Sequence, residues 1–151
     1  MKLTHTMIVM GLGSFVIQYF LMSPIMVNTR VDITNNLGKA YLSMTMALLM
    51  IFLEVMMHDH QYNVFSLNTY VILAALVGLF VYLYRNQVAI HDSQYLEEMI
   101  EHHSMALLTS QEILKKTDDY DVSKLAKNII QTQEDEIKIM RGLLEKKRSV
   151  D

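Results

Sequence analysis

Apolar residues dominate three stretches of the first 90 positions, at about residues 7–27, 40–57 and 64–84. Each stretch approaches the roughly 20 apolar residues that a helix needs to cross the hydrocarbon core of a bilayer. The second stretch contains one formal charge, Glu54, and the other two contain none. A strand in lipid leaves its backbone groups unpaired unless a barrel closes, so the pattern predicts three membrane-spanning helices.

The basic residues near these stretches bear on their orientation. Lys2 precedes the first stretch, whereas Arg30, Lys39 and Arg85 all lie on the other side if each helix crosses once. The positive-inside rule then favours a cytoplasmic C-terminal tail, although counts this small leave the side open. We therefore expect an integral membrane protein in contact with lipid, in a bacterial inner membrane.

After residue 90 the apolar positions recur at intervals of three and four, which is the spacing of amphipathic helices. Two such helices are predicted, at about Asp92–Lys116 and Val122–Lys147, separated by the turn-forming run T-D-D-Y-D. The chain thus divides into a membrane domain, 1–90, and a helical hairpin domain, 91–151, and its fold class is all-α. A hairpin of about 60 residues buries too little surface to stand alone, so we expect a homo-oligomer or packing on the membrane helices.

The charge distribution and the composition exclude several classes of function. Only seven of the charged side chains lie in the first 90 residues, and the formal net charge is −3. Without a basic patch, binding to nucleic acid is not expected. The absence of cysteine excludes disulfides, thiolate metal sites and cysteine catalysis.

Polar groups interrupt both apolar faces of the predicted hairpin. His103 shares a face with Met99, and Gln133 interrupts the face of the second helix. Folding the hairpin about residue 118 places His103 level with Gln133, so that imidazole, thioether and carboxylate groups converge between two helices, as metal sites require. The candidate metal ligands are Met99, His102, His103, Met105, Gln133, Glu136 and Met140.

Two interpretations of these residues remain open. In the first, the protein binds a soft metal for storage, buffering or handover. Thioether and imidazole donors without thiolate favour cuprous copper, while zinc would use His102, His103 and Glu136. In the second, His103 is a buried group hydrogen-bonded to a neighbour such as Gln133, and methionines fill gaps in the core. The hairpin would then be a dimerisation or docking module of a structural or accessory membrane subunit, with a protein partner that the sequence does not identify.

A second group of metal-binding side chains lies in the second apolar stretch. Met50, Glu54 and His58 are spaced four residues apart and therefore share one helix face. An ionisable residue inside a membrane segment is a functional candidate by default. Since Glu54 lies close to a predicted polar link at residues 58–63, extension of its carboxylate to the membrane surface explains the residue equally well.

Two segments of the tail resemble the domain of unknown function 305 family. They are Y-L-E-E-M-I-E-H-H-S-M-A-L-L-T-S and L-A-K-N-I-I-Q-T-Q-E-D-E-I-K-I-M-R-G-L-L, and together they fit the pattern M-I-x-H-H-x-x-A followed by I-I-x-x-Q-x-x-E-I-x-x-M. The resemblance covers roughly residues 92–146. One departure is Glu101, which replaces a proline common before the histidine pair and adds a charge beside the site.

The resemblance implies a ferritin-like half-bundle that a second chain completes, and membership of a membrane-anchored branch. It also implies copper binding through Met and His at the matching positions. Di-metal catalysis of the ferritin-like kind uses repeated Glu-x-x-His motifs, which the tail lacks. We therefore expect no enzymatic activity and keep catalysis only as a third alternative.

Overall fold

The computed structural model describes residues 3–149, and these form helices and turns without a strand. The five helices are α1 (Leu3–Met26), α2 (Leu37–Tyr62), α3 (Leu67–Arg85), α4 (Asp92–Leu114) and α5 (Tyr120–Arg148). A π-helical turn interrupts α1 at Ile17–Leu21. The all-α architecture predicted from the sequence is confirmed, with three apolar helices followed by two amphipathic ones.

The first three helices are long and apolar enough to cross a membrane. Most of their apolar side chains point away from the protein, as Leu12, Phe20 and Val71 do with more than half of their surface exposed. Apolar surface of this extent is unusual on a protein surrounded by water. It is what a helix in contact with lipid presents.

Helix α2 is longer than predicted, and the polar link expected at residues 58–63 is wrong in most of its length. The helix continues through these polar residues to Tyr62. It ends where Asn63 adopts a left-handed conformation with a φ of 53°. Polar side chains do not by themselves end a helix, whereas a left-handed residue stops the hydrogen-bond ladder.

The described residues form two compact units that are discontinuous in the sequence. The first unit contains residues 3–22 and 37–89, and the second contains residues 23–36 and 90–149. Residues 27–36, which we call the connector, join the first two apolar helices and therefore pack with the hairpin. The pattern of apolar residues had placed all of residues 1–90 in one domain.

In the first unit, α2 packs against both α1 and α3. Leu48, Val55 and Leu73 form the buried core between these helices. Gly11 lets α1 approach α2 closely, because a Cβ atom at this position would lie 2.6 Å from Ile51 Cδ1. Small residues at such contacts allow close van der Waals packing between membrane helices.

The buried carboxylate of Asp59 fixes the turn between α2 and α3. Its Oδ2 accepts a hydrogen bond from the Ser66 backbone N–H at 2.6 Å, and its Oδ1 accepts one from the Ser66 hydroxyl at 3.0 Å. Because Ser66 precedes the first residue of α3, these bonds satisfy backbone and side-chain groups at the start of that helix. A polar residue that looked like part of a loop thus has a structural partner.

The core of the second unit lies between α4 and α5. Its buried members are Leu96, Ile100, Leu107, Ile137, Met140 and Leu144, and Met99 and Ile130 pack against them. Helix α5 begins with Asp119 as its N-cap, whose Oδ1 accepts hydrogen bonds from the backbone N–H groups of Asp121 and Val122. An aspartate cap of this kind typically contributes about 1 kcal/mol to stability.

We predict that Gly11→Leu destabilises the first unit by about 1–3 kcal/mol, because the added side chain overpacks the contact with Ile51. Gly13 is the matched control, since nothing lies within 4 Å of a Cβ atom added there. Thermal unfolding of the full chain in detergent, followed by circular dichroism, measures both variants. Equal melting temperatures for Gly11→Leu and Gly13→Leu would contradict the close helix contact.

Candidate functional site

The hairpin brings two of the predicted ligands together. His103 on α4 lies with its Nδ1 atom 3.1 Å from Oε2 of Glu136 on α5. The imidazole side chain is 15% exposed and the carboxylate side chain is 46% exposed. Nδ1 itself is shielded from solvent, and apart from this contact with Glu136 it has no hydrogen-bond partner among the described residues. The pair therefore couples an enclosed nitrogen to a carboxylate that faces solvent.

His103 contacts Glu136, whereas the sequence predicted that His103 would lie level with Gln133. The two α5 positions are separated by three residues, or a little under one helical turn. Helical side chains lean towards the N-terminus of their own helix. In an antiparallel hairpin the side chains of the two helices therefore lean in opposite directions. A side chain on α4 then meets a side chain on α5 that lies nearer the C-terminus than the backbone register indicates.

The other predicted ligands of the hairpin occupy different environments. Met140 is buried in the core of the hairpin, and Met99 packs against that core. Met105 and Gln133 are half-buried, and His102 is exposed on α4. The structure thus places an imidazole, a carboxylate and two core thioethers in the hairpin, with His102 directed to solvent.

One chain supplies an incomplete donor set. Among residues 3–149 no group of three or more His, Cys, Asp or Glu side chains is arranged to hold one metal ion. His103 and Glu136 supply two donors, and structural zinc sites in proteins usually have four. Any metal ion at this position would therefore need further ligands from thioethers, water or groups of another molecule.

The residues proposed as a secondary site on α2 lie in a different setting. Met50 and Glu54 are half-buried. His58 is 28% exposed, its Nδ1 lies 3.3 Å from Asp59 Oδ1, and its ring packs against Tyr62 at 4.7 Å between centroids. His58 therefore belongs to the polar cluster at the end of α2, which also fixes the following turn.

A buried carboxylate ties the connector to both helices of the hairpin. Asp32 is 3% exposed. Its Oδ2 accepts hydrogen bonds from the Ser104 hydroxyl at 2.6 Å and the Thr29 hydroxyl at 2.7 Å, and Oδ1 accepts one from the Arg141 guanidinium. Ser104 also accepts a hydrogen bond from the Asn28 backbone N–H at 2.9 Å. Three segments that are distant in sequence therefore meet at one charge.

A second buried carboxylate extends this network along the connector. Glu101 is 3% exposed, and its Oε2 lies 3.1 Å from the Thr34 hydroxyl and 3.4 Å from the Asn36 amide nitrogen. The Thr34 hydroxyl also lies 2.9 Å from the backbone oxygen of Glu97. Glu101, which stands where the resembled family commonly has a proline, thus joins α4 to the connector.

Sequence reasoning missed this network, although part of its signal was present. Ser104 follows Ile100 by four residues and precedes Leu107 by three, so it shares the apolar face of α4. This spacing indicates a polar side chain on a buried face. Asp32 carried no such signal, since a single acidic residue in a short connector is ordinary. Its partners only become evident when the connector and the hairpin are in contact.

Ion pairs at both ends of the hairpin lower the pKa of exposed carboxyl groups. The hydrogen bond from Lys147, at 2.6 Å, holds the pKa of Asp92 below its ordinary value and joins the start of α4 to the end of α5. Lys115 lowers the pKa of Glu112 in the same way. Because these folded-state values are depressed, the stabilisation is present above the ordinary carboxyl pKa and is lost as the pH falls through the folded-state value.

Comparison with known proteins identifies a family but no activity. Residues 83–149 match the family described as "Domain of unknown function (DUF305)". The chain is also similar to "Uncharacterized protein L153" of Acanthamoeba polyphaga mimivirus, with 32% identity over 142 residues that cover 93% of this chain and 92% of that protein. No solved structure matches the chain. The similarity to the viral protein extends through the apolar helices as well as the hairpin.

We predict that Asp32→Asn lowers the stability of the hairpin unit by about 1.5–3 kcal/mol, because the hydrogen bond from Arg141 loses its charged acceptor in a buried setting. Asp135→Asn is the matched control, since this carboxylate is exposed and lies 3.6 Å from Lys138. Urea unfolding of the full chain in detergent measures the difference. Equal unfolding midpoints would show that the Asp32 network does not stabilise the hairpin.

Proposed function

This chain belongs to the domain of unknown function 305 family, and we propose that it is a membrane protein whose hairpin binds a transition metal ion for storage, buffering or handover. The observation that carries the proposal is the enclosed Nδ1 atom of His103, which lies 3.1 Å from Glu136 Oε2 and apart from this contact has no hydrogen-bond partner among the described residues.

An enclosed nitrogen without a hydrogen bond destabilises a protein by about 1–3 kcal/mol. Glu136 at 3.1 Å offsets part of this penalty for Nδ1 of His103. A metal ion bound to Nδ1 would satisfy the nitrogen fully, because a neutral imidazole ligates through its free lone pair. The carboxylate of Glu136 is 46% exposed, so it supplies a second donor and connects the nitrogen to solvent. These features support a site that an ion enters from the surface of the hairpin.

The identity of the ion depends on which donors join His103. Cuprous copper prefers thioether and imidazole ligands, and Met99 and Met140 pack in the core of the same hairpin. Zinc prefers imidazole and carboxylate ligands, as His103 and Glu136 provide. We propose copper as the first candidate because of the methionines, and zinc as the alternative.

The order of the segments along the chain bears on the side of a membrane on which the hairpin would lie. If each of the three apolar helices crosses once, the connector of residues 27–36 and the hairpin emerge on the same side. The bonds from Ser104 and Arg141 to Asp32 require that arrangement. A cytoplasmic location of the hairpin, and a bacterial inner membrane, stay predictions.

Exposed apolar residues on α5 support the second candidate function, a docking module of an accessory membrane subunit. Leu125 and Ile139 are 60% and 61% exposed on a helix that otherwise carries many charges. Apolar groups at such positions favour contact with another protein surface. Docking and metal binding are separable, because only metal binding requires the imidazole of His103.

We predict that His103→Ala weakens metal binding by at least about tenfold, as removal of a metal ligand or its support commonly does. His102→Ala is the matched control on the adjacent, exposed position, and its effect should be smaller. Titration of the full chain in detergent with cuprous copper and with zinc measures the affinities, and circular dichroism verifies the fold of each variant.

Two further variants distinguish the ions. Met140→Leu should weaken cuprous copper more than zinc, whereas Glu136→Gln should weaken zinc more than cuprous copper, because thioethers and carboxylates differ in softness. Metal affinities that are the same for the unaltered chain and for all four variants would refute the metal function and leave the docking module as the better proposal.

A further inference from the structure

We infer that helix α5 pairs with α5 of a second copy in antiparallel orientation, and that a divalent cation bridges Glu136 and His103 of the two copies at the centre of the interface. The inference rests on the metal-binding function proposed above. It adds the source of the ligands that the described residues of one chain lack, and it selects zinc, the alternative ion of the proposed function, for a site of imidazoles and carboxylates.

Helix α5 carries two neighbouring faces with the same spacing. One face packs against α4 and includes the buried Ala126, Ile137, Met140 and Leu144. The other, which we call the outer stripe, repeats at alternating intervals of three and four residues and lies beside the face that packs against α4. The outer stripe consists of Val122, Leu125, Ile129, Thr132, Glu136, Ile139 and Leu143. Its first three members line one groove with Thr109, Ser110 and Ile113 of α4, so α4 borders one edge of the stripe.

The outer stripe is exposed in the single chain. Val122, Leu125, Ile139 and Leu143 are between 41% and 61% exposed. Intervals of three and four sustained over three heptads are the pattern of a helix that packs on another helix. Since α4 borders only one edge of the outer stripe, the rest of the stripe has no helix packed against it among the residues that the structure describes.

The outer stripe is complementary to itself when two copies run antiparallel. One register places Leu125 against Leu143 and Ile129 against Ile139 of the second copy, and two-fold symmetry repeats each layer on the other side of the centre. A two-fold interface must be self-complementary in this way, because the same surface serves both partners. The central layers in this register contain Thr132 and Glu136.

The charges at the ends of the stripe favour the antiparallel orientation. In this register Asp121 lies next to the level of Lys146 of the second copy, and the symmetric contact occurs at the other end. A parallel pair would instead place Asp121 beside Asp121 and Lys146 beside Lys146. Opposite charges across an interface favour one orientation and oppose the other.

The centre of the interface requires a cation. The two Glu136 carboxylates would be offset by four residues, which is about 6 Å along the helix axis. Two carboxylates that approach in an apolar interface repel each other unless a positive charge lies between them. His103 accompanies each carboxylate at 3.1 Å, so the two copies together present two imidazoles and two carboxylates. Four such donors match the coordination number that zinc prefers.

The size of the interface explains why anchoring in a membrane would assist it. The outer stripe spans about 32 Å of helix, which is a narrow contact compared with those of permanent dimers. Confinement of two copies to one bilayer raises their effective concentration, so a modest contact forms more readily. The cation then acts both as a ligand and as the bridge that completes the contact.

The first experiment measures the mass of the full chain in detergent, by sedimentation or native mass spectrometry, during titration with zinc. We expect the unaltered chain to be monomeric with a chelator and dimeric with zinc, at one zinc per two chains. Glu136→Gln should raise the zinc concentration needed for half-dimerisation by at least about tenfold. Glu134→Gln, an exposed neighbour of the same residue type, should behave as the unaltered chain does.

A second variant separates the cation from the interface. Glu136→Leu removes the repulsion and adds an apolar layer, so this protein should dimerise in the presence of the chelator. If Glu136→Leu remains monomeric with and without zinc, the outer stripe is not the contact surface, and the inference is overturned.

Cysteine cross-linking tests the register, since the chain contains no cysteine of its own. A mixture of the Leu125→Cys and Leu143→Cys proteins should form a disulfide between the two chains under mild oxidation with zinc present. Either protein alone should form it at least about tenfold less, because antiparallel pairing separates identical positions by about 27 Å along the helix. Efficient cross-linking of each protein to itself would indicate parallel pairing and overturn the proposed register.

The results also separate this inference from the metal function on which it rests. Zinc binding at unchanged monomeric mass would overturn the bridged dimer and leave the metal function standing. A chain that binds neither zinc nor cuprous copper would overturn both. A dimer that forms equally with chelator and is unaffected by Glu136→Gln would refute the cation bridge.

Discussion

The carboxylate of Asp32 is the group on which the arrangement of the hairpin unit depends. It is 3% exposed and receives hydrogen bonds from the connector, from α4 and from α5, through Thr29, Ser104 and Arg141. A buried carboxylate deprived of its partners destabilises a protein by several kcal/mol, so these segments hold one another in place. The connector between two apolar helices thereby becomes part of the domain that follows the third.

The same charge orients the candidate metal ligands. Ser104 has no exposed surface and faces Asp32, which fixes the rotation of α4 about its axis. His103 is the preceding residue, so its ring is directed about 100° away, towards α5 and Glu136. Arg141 similarly turns one face of α5 to the connector and leaves Glu136 on the side that meets His103. Residues that would not touch the ion therefore position those that would.

Helix α5 shows how one helix serves two surfaces. Its face against α4 is apolar and buried. The outer stripe is apolar at both ends and polar in the middle, where Glu136 contacts His103. A carboxylate at the centre of an apolar surface is unfavourable in contact with a like charge and favourable with a cation. The proposed metal binding and the proposed self-association would therefore be physically coupled, because both would use the side chain of Glu136.

The sequence by itself determined the three apolar helices, the hairpin and the family, because hydropathy and helical spacing are properties of short segments. It also singled out His103 and Glu136, since donor groups on apolar faces are visible in the pattern. Only the tertiary structure revealed that α2 continues to Tyr62 and that the imidazole meets Glu136, for which side-chain lean is responsible. The bond from Ser104 to Asp32 joins residues 72 positions apart, and no local pattern encodes a contact that exists only after the chain has packed.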